Sequence, residues 1–220
     1  MDIQTSNIKE WSSFMMKYKF ALDEMNTKLK ILNEEFQILH DHNPIEHIKS
    51  RLKKPKSISA KLERKNVKPT FENIEENVFD IAGIRVTCSF ISDIYKIYDL
   101  IKNQDDIQII KVKDYIANPK PNGYKSLHLI VTVPVFLTDR TENVCIEIQI
   151  RTIAMDFWAS LEHKIYYKFQ DEVPNKLTSE LKSAAEMVHF LDCKMKDIKE
   201  EMDLYKSEES LHKKKQTLAF

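Results

Sequence analysis

Two acidic residues in strand-like surroundings are the first candidates for chemistry. Asp80 immediately precedes a predicted strand in the segment FDIAGIRV, and Glu147 lies on the polar side of another in CIEIQIRT. Carboxylates brought together from different strands can hold Mg²⁺ between them, because this hard cation prefers oxygen ligands and the phosphates of a nucleotide. Taken singly, each is also typical of a surface carboxylate, and their spacing along the chain is not diagnostic.

A basic segment from Lys49 to Lys68 offers the positive charge that a phosphate ligand needs. It contains nine basic residues and one acid, Glu63, in a chain with 34 basic and 34 acidic residues overall. On a helix predicted to begin near Ser57, residues three or four apart face the same way, so basic groups can converge. Guanidinium groups suit phosphates and bases, and lysines supply point charge. A solvated basic surface or an RNA-binding patch also explains this segment.

An aromatic residue and a histidine are weaker candidates. Tyr124 follows Asn122-Gly123 at a turn-to-strand junction, where it can stack on a nucleobase or pack at a sheet edge. His163 lies on a predicted helix and has no second histidine at the spacing of an HExxH motif, which argues against a metal role.

The composition excludes several classes of protein. Gly83 and Gly123 are the only glycines, so Walker loops, dinucleotide fingerprints and kinase glycine loops, which each need clustered glycines, are excluded. Cys88, Cys145 and Cys193 form no CxxC pair, which is typical of reduced thiols in a cytosolic protein. The sequence has neither a signal-like N-terminus nor an apolar run of roughly 20 residues. We therefore predict a cytoplasmic protein without a membrane partner, and phosphate binding by side chains.

The elements that must position these residues change period along the chain. Apolar stripes over residues 7–39 and 177–205 predict long amphipathic helices, which pack on the domain's own core or pair with each other. A short helix is predicted from Ser92 to about Lys102, and another after residue 153. Strands are predicted at 84–90, 107–113, 124–136 and 143–152.

Two of these strands are polar on one side. Alternation of apolar and polar residues over 143–152 and 124–136 places every second side chain on the same face. A sheet face this polar is either exposed to solvent or a functional site. If the strands are neighbours, the residues on this face are Glu147, Gln149, Arg151, Tyr124, Ser126 and His128.

Four ordered segments together resemble a known family. They are NPIEHIKSRLKKPKSISAKLERK, DIAGIRVTCSFISDIY, DYIANPKPNGYKSLHL and EIQIRTIAMDFWASLEHKIYYK, spanning about Asn43 to Lys168. In order and spacing they resemble the stand-alone small alarmone synthetases, the single-domain relatives of the RelA/SpoT enzymes that make (p)ppGpp. The segments NPKPNGYKSLHL, PVFLTDR and IAMDFWASLEHKIYYK are more similar to the RelP-like than to the RelQ-like subgroup.

The resemblance implies a fold and an activity. The fold class is α+β, a nucleotidyltransferase-like mixed β-sheet flanked by helices, with long N- and C-terminal helices. An N-terminal helical segment (1–42) would precede the catalytic domain (43–170), and a C-terminal helical segment (171–220) would mediate oligomerisation. The implied activity, in the stringent response, transfers the β,γ-pyrophosphate of ATP to the 3′-hydroxyl of GDP, GTP or GMP and releases AMP.

The resemblance also implies roles position by position. Asp80 would bind Mg²⁺, and Glu147 would assist the metal and orient or deprotonate the 3′-hydroxyl. At the position of Asp156 other members carry asparagine, and a carboxylate there can accept from guanine N–H groups but cannot donate. Adenine would lie between Arg51 and Arg85, and the ATP phosphates would be held by Lys53, Ser57, Lys61 and Arg64. The guanine nucleotide would be bound by Tyr124, stacked on the base, with Lys120, Gln149, Asp156 and His163.

Partners and rival interpretations complete the expectations. The resemblance implies a homotetramer built through the terminal helices, with bound alarmone or RNA as candidate regulators. His40-Asp41 lacks the further ligands of a metal hydrolase, so no ppGpp hydrolysis is expected. One rival is a non-catalytic RNA-binding regulator that uses the basic segment and does not need Asp80, Glu147 and Tyr124 together. A second keeps the fold but transfers a nucleotidyl group and releases pyrophosphate.

Overall fold

The structure, a computed structural model, describes residues 8–166 and 174–217. Within these ranges no helix combines the length and the apolar character needed to cross a lipid bilayer. The elements follow in the order α1 (Ile8–Leu39), β1 (Ile45–Leu52), α2 (Pro55–Glu63), α3 (Phe71–Asn77), β2 (Ala82–Cys88), α4 (Ile91–Lys102), β3 (Gln108–Asp114), β4 (Leu127–Phe136), β5 (Thr141–Thr152), α5 (Ile153–Tyr166) and α6 (Asn175–Thr217).

The centre of the fold is a five-stranded mixed sheet in the order β1-β2-β5-β4-β3. β2 and β5 run parallel, and every other neighbouring pair is antiparallel. One face is apolar because alternate residues of β2, β4 and β5 are aliphatic and fully buried, among them Ile84, Leu129 and Ile148. The predicted α+β fold, a mixed sheet flanked by helices with long terminal helices, is confirmed.

Helix α1 packs across this apolar face and forms part of its core. Met25 and Leu29 on its predicted stripe are fully buried in the same cluster as the aliphatic residues of the sheet. Burying one such side chain contributes roughly 1.5–3 kcal/mol, so a helix that buries several is strongly held. α1 therefore belongs to the core of the sheet, although it lies outside the predicted catalytic domain of residues 43–170.

Helix α6 packs mainly on α5. Ala185 of α6 is buried with Trp158 and Ala159 of α5, and the indole Nε1 of Trp158 donates to the carbonyl of Leu181 at 3.1 Å. Further along α6 the apolar stripe is largely exposed, as at Leu191, where 57% of the residue's surface is accessible. The two predicted stripes thus have different partners within the chain.

Neither β1 nor α3 was predicted from the sequence. In β1 the apolar residues Ile45, Ile48 and Leu52 are three and four residues apart, which hides the alternation typical of a strand. β1 is also an edge strand with mostly exposed side chains, so burial did not constrain its residue types. The other boundaries shift by a few residues: β2 covers Ala82–Cys88 rather than 84–90, and β4 begins at Leu127 rather than at Tyr124.

Candidate active site

The register of the sheet aligns polar side chains from four strands in rows. Opposite residues of paired strands point to the same face, and this face is the one not covered by α1. The predicted polar face is confirmed, and it extends across β2 to β1. One row contains Lys49, Arg85, Gln149 and His128, and the next contains Arg51, Gly83, Glu147 and Ile130.

A cavity of about 220 Å³ opens on these rows. Gly83 stands between Arg51 and Glu147 and has no side chain to fill the gap, and a Cβ there would lie 4.0 Å from the nearest atom, the carbonyl oxygen of Arg51. The structure therefore brings together five residues predicted from the sequence. These are Arg51, Asp80, Arg85, Glu147 and Gln149, which line the cavity with Lys49, Ser50, Gly83 and Ile84.

Asp80 is held by two lysines on the β1–α2 side of the cavity. Nζ of Lys53 donates to Oδ2 at 2.6 Å, and Nζ of Lys61, on α2, donates to Oδ1 at 2.7 Å. Partial burial by itself would raise the pKa of Asp80, but the hydrogen bonds and charges of the two lysines outweigh it and hold this pKa below its ordinary value. The cavity thus contains an ionised carboxylate paired with two lysine side chains.

Glu147 is held differently, by side chains of its own sheet face. Nδ1 of His128 lies 3.2 Å from Oε1, and the amide of Gln149 donates to Oε2 at 2.8 Å. Burial would raise the pKa of Glu147, but the contacts with His128 and Gln149 outweigh it and lower this pKa, while the charge of Asp80 opposes them. The electrostatic influence of Asp80 agrees with both carboxylates lining one cavity.

Two arginines share the carboxylate of Asp156, which lies in the first turn of α5. Nη1 of Arg85 lies 3.0 Å and Nη1 of Arg151 3.2 Å from the same oxygen, Oδ1. Burial, followed by the charge of Arg151, lowers the pKa of Arg85. Nε of Arg85 is buried and has no hydrogen-bond partner within the described residues. A guanidinium with an unused donor beside the cavity suits a ligand with acceptor atoms.

Tyr124 lies on a tight loop seated on α6. Gly123 donates its N–H to the carbonyl of Lys120 at 2.8 Å and has φ +87°, a conformation that favours glycine. A Cβ at Gly123 would lie 2.5 Å from the Cβ of Ala185 on α6, so the loop approaches this helix closely. Nζ of Lys120 lies 4.7 Å from the centre of the Tyr124 ring. The Tyr124 loop therefore carries an aromatic platform and a cation together.

The other predicted site residues lie farther from the cavity lining. Ser57 is exposed in the first turn of α2, and Arg64 is exposed at the C-terminal end of this helix, where its Nε donates to the carbonyl of Ala60 at 3.2 Å. His163 is exposed in the last turn of α5. The roles that the resemblance assigned to these three residues stay predictions.

Two residues without a predicted site role contact the predicted site residues. His128 contacts Glu147, and Arg151 contacts Asp156, Gln149 and Tyr124. The alternation of β4 and β5 had already placed both on the polar face. That alternation was the available signal, but it did not distinguish their side chains from ordinary exposed ones.

Comparisons with known proteins identify the family to which this chain is similar. A model of the region found in RelA/SpoT proteins matches residues 50–172. The chain is 56% identical over 203 residues to the GTP pyrophosphokinase YwaC of Bacillus subtilis (strain 168), which covers 92% of this chain and 97% of that protein. It is 37% identical over 194 residues to the GTP pyrophosphokinase YjbM of the same organism, covering 88% of this chain and 90% of that protein.

Solved structures of similar proteins share the fold. Small alarmone synthetase 2 from Bacillus subtilis matches with a TM-score of 0.80 and 56% identity, covering 88% of this chain and all (100%) of that chain. Small alarmone synthetase 1 from the same organism, bound to its product pppGpp, matches with a TM-score of 0.82 and 37% identity, covering 88% of this chain and 98% of that chain.

These matches define the class as nucleotide pyrophosphokinases with a mixed sheet and helical flanks. The chain belongs to the RelA/SpoT family. The resemblance to the stand-alone small alarmone synthetases is therefore confirmed, and the preference for the RelP-like subgroup fits the 56% identity to YwaC. The comparisons do not support the rival interpretation as a non-catalytic RNA-binding regulator.

Proposed function

We propose that this chain is a (p)ppGpp synthetase that transfers the β,γ-pyrophosphate of ATP to the 3′-hydroxyl of GDP, GTP or GMP. In this step a bond forms between the 3′-oxygen and the β-phosphorus, the bond from that phosphorus to the α,β-bridging oxygen breaks, and AMP leaves. The observation that carries the proposal is the cavity in which Asp80 and Glu147 lie with Arg51 and Arg85. Family membership supports the same activity.

The ATP side of the proposed site is the β1, β2 and α2 side of the cavity. Arg51 and Arg85 suit the adenine because planar guanidinium groups stack on aromatic rings. Lys53 and Lys61 suit the phosphates because both ammonium groups contact Asp80, which lines the cavity. Each carries one positive charge at the end of a long side chain. Ser57, exposed on α2, and Arg64, exposed at the C-terminal end of this helix, would also contact the ATP phosphates.

The carboxylates suit Mg²⁺ as the metal. Asp80 and Glu147 offer oxygen donors only, and no group of three or more His, Cys, Asp or Glu side chains in the described part of the chain forms a metal cage. Mg²⁺ is commonly bound by one or two carboxylates together with substrate phosphates, so this donor set fits it. When bound, the ion would neutralise charge that develops on the transferred group. Lys53 and Lys61 would then be free to contact phosphate rather than Asp80.

The acceptor side is proposed around Glu147 and the Tyr124 loop. The 3′-hydroxyl would give its proton to Glu147, which is ionised and lies in the same cavity as Asp80. Guanine would stack on Tyr124 with Lys120 beside it, while Gln149, Asp156 and His163 would contribute polar contacts. Pyrophosphoryl transfer requires little covalent chemistry from the protein, so positioning and charge stabilisation are its main contributions.

We also propose an oligomeric state, a cellular location and a regulator for this protein. A homotetramer built through the terminal helices is supported by the exposed apolar side chains of α6, including Phe190, Leu191 and Met195. The three free cysteines and the nucleotide substrates support a cytoplasmic location. Bound alarmone or RNA is the proposed regulator of such an assembly. For the chain itself we propose an N-terminal helical segment (1–42), a catalytic domain (43–170) and a C-terminal helical segment (171–220) that mediates oligomerisation.

The direct test is incubation of the purified protein with Mg²⁺, γ-labelled ATP and, separately, GMP, GDP and GTP. We expect label on a guanosine 3′-pyrophosphate and an equal amount of AMP, with the rates ranking the acceptors. Omission of Mg²⁺ is the control for metal dependence. Folding of the sample is checked by circular dichroism.

Other products would overturn the proposal. Release of pyrophosphate with incorporation of AMP would indicate nucleotidyl transfer instead. No labelled guanine product with any acceptor, together with RNA binding that weakens steeply with salt, would favour the RNA-binding regulator. Incubation of ppGpp with Mn²⁺ should release no pyrophosphate, since we expect no hydrolase activity.

A further inference from the structure

Five side chains on the β4–β5 side of the cavity form a closed ring of hydrogen bonds. Nη2 of Arg151 lies 2.6 Å from the hydroxyl of Tyr124 and 2.9 Å from Oε1 of Gln149. The Tyr124 hydroxyl lies 2.8 Å from Nε2 of His128, and Nδ1 of His128 lies 3.2 Å from Oε1 of Glu147. The amide of Gln149 donates to the other oxygen of Glu147 at 2.8 Å, which closes the ring.

The chemistry of the members gives the ring one direction. A guanidinium only donates and an ionised carboxylate only accepts, so Arg151 is the source of hydrogen bonds and Glu147 is their end point. Nδ1 of His128 therefore carries the hydrogen that Glu147 accepts. In the neutral imidazole, Nε2 is then left to accept from the Tyr124 hydroxyl, which itself accepts from Arg151.

Two members of the ring, His128 and Arg151, are buried, and this burial restricts their movement. Only 8% of the surface of His128 and 4% of that of Arg151 are accessible. In such surroundings an unpaired polar group is costly, so a network in which each member has a partner favours a single arrangement. The ring of Tyr115 packs against that of His128 at 5.3 Å between centroids, which further limits rotation of the imidazole.

We propose that His128 is a positioning residue that orients Glu147 and ties it to the guanine platform Tyr124. Through its two ring nitrogens it joins the carboxylate that would accept the 3′-proton to the aromatic ring that would stack on the base. The guanine ring and the 3′-hydroxyl belong to one nucleotide. A fixed distance between Tyr124 and Glu147 therefore places that hydroxyl beside the carboxylate that would accept its proton. This inference rests on the proposed function.

Substitutions of His128 can separate its two contacts. In His128→Asn the amide nitrogen takes the place of Nδ1 and keeps a donor toward Glu147, whereas in His128→Gln the amide reaches the place of Nε2 and keeps a contact with Tyr124. We expect His128→Ala and His128→Gln to lower kcat roughly 10- to 100-fold, because a displacement near 1 Å costs about that much. His128→Asn should retain kcat within about 5-fold, and the KM for ATP should stay within about 2-fold in all three.

The relative kcat values of the three His128 variants distinguish a positioning role from a structural one. If Asn and Gln lower kcat equally, or if Ala leaves kcat unchanged at saturating nucleotide, His128 does not orient Glu147. Thermal unfolding of each variant shows whether loss of activity follows loss of fold. If the role of His128 were only structural, kcat would fall in the same order as the thermal stability of the variants. His40→Ala, at an exposed histidine after α1, is the matched control and should retain wild-type kinetics.

A double-mutant cycle tests the link to Tyr124. Tyr124→Phe keeps the stacking ring and removes the hydroxyl, so we expect a kcat loss of roughly 3- to 10-fold with little change in the guanine-nucleotide KM. Combined with His128→Ala it should cause no further loss, because both changes open the same ring. Multiplying losses would overturn the link. Absence of guanosine 3′-pyrophosphate with the wild-type protein would instead refute the proposed function itself.

A spectroscopic measurement examines the ring without relying on activity. With ¹⁵N-labelled histidine, the neutral side chain of His128 should show its proton on Nδ1, which His128→Ala identifies by loss of that signal. In Tyr124→Phe the same tautomer should persist because Glu147 still accepts from Nδ1. A neutral imidazole protonated on Nε2 would contradict the direction of the ring.

Discussion

The two halves of the polar sheet face are built on different physical principles. On the β1, β2 and α2 side, Lys53 and Lys61 converge on Asp80, and 30% of the Lys61 side chain is accessible to solvent. On the β4 and β5 side, His128 and Arg151 are almost fully buried and hydrogen-bonded to their neighbours. The first half offers long, partly exposed charges, whereas the second offers a fixed network.

The difference follows from what each half is proposed to bind. A triphosphate carries several charges on a flexible chain, and long cationic side chains can follow it without a unique geometry. Proton transfer from a hydroxyl requires donor and acceptor within hydrogen-bond distance, so the group that accepts must be held still. We therefore expect substitutions on the β4–β5 side to affect mainly kcat, and those on the β1–β2 side to affect mainly the use of ATP and metal.

The largest effect should come from Glu147→Gln. The amide keeps the shape of the side chain but cannot accept the 3′-proton, so we expect kcat to fall roughly 10²- to 10⁴-fold with the fold intact. Single-turnover kinetics at saturating nucleotide and a thermal unfolding curve provide the two readings. Glu34→Gln, the same change at an exposed position on α1, should be neutral. A near-normal rate for Glu147→Gln would remove this residue from the role of base.

The next largest effect should come from Asp80→Asn on the opposite half. Loss of one carboxylate charge should lower Mg²⁺-dependent turnover roughly 10²-fold, because the metal contributes several kcal/mol of charge stabilisation. A titration of rate against Mg²⁺ should shift to higher concentration. Asp99→Asn, at an exposed position of α4, serves as control. An unchanged titration would exclude Asp80 from the metal site.

Substitutions of the two glycines should have smaller effects that differ between the two halves of the site. Gly123→Ala introduces a Cβ only 2.5 Å from that of Ala185 at φ +87°, so the Tyr124 loop must shift. We expect a loss of roughly 1–3 kcal/mol in unfolding free energy and a raised KM for the guanine nucleotide. Gly83→Ala has room, with its nearest contact at 4.0 Å, so its unfolding free energy should change by less than about 0.5 kcal/mol and only the KM for ATP should rise. Equal effects of both changes on the guanine KM would contradict this separation.

The smallest effect concerns the pH dependence of stability. Because the lysines lower the pKa of Asp80 in the folded state, its contribution to stability is fully present above the ordinary value of 3.8 and is lost as pH falls through the folded-state pKa. The difference in unfolding free energy between wild type and Asp80→Asn should therefore shrink as pH is lowered through the acid range. Urea unfolding at several pH values measures it. A difference independent of pH would show that the ion pairs do not stabilise the fold.

Local patterns in the sequence predicted much of this site and missed specific parts of it. Alternation in β5 placed Glu147 and Gln149 on one face, and the charge run drew attention to Lys53 and Lys61. β1 was missed although it carries Lys49 and Arg51, because an exposed edge strand is under little pressure to alternate. His128 was placed on the correct face but had no assigned role, since its partners lie four and nineteen residues away.

The sequence by itself determined the kinds of groups available and their local faces. Two isolated glycines ruled out a glycine-rich phosphate loop, and the ordered motifs identified the family. Only the tertiary structure decided that Gly83 stands between Arg51 and Glu147, that two lysines meet at Asp80, and that the hydrogen bonds behind Glu147 close into a ring. The physical reason is that strand register and helix packing arise from contacts between distant segments, which a local period of two or of 3.6 residues does not encode.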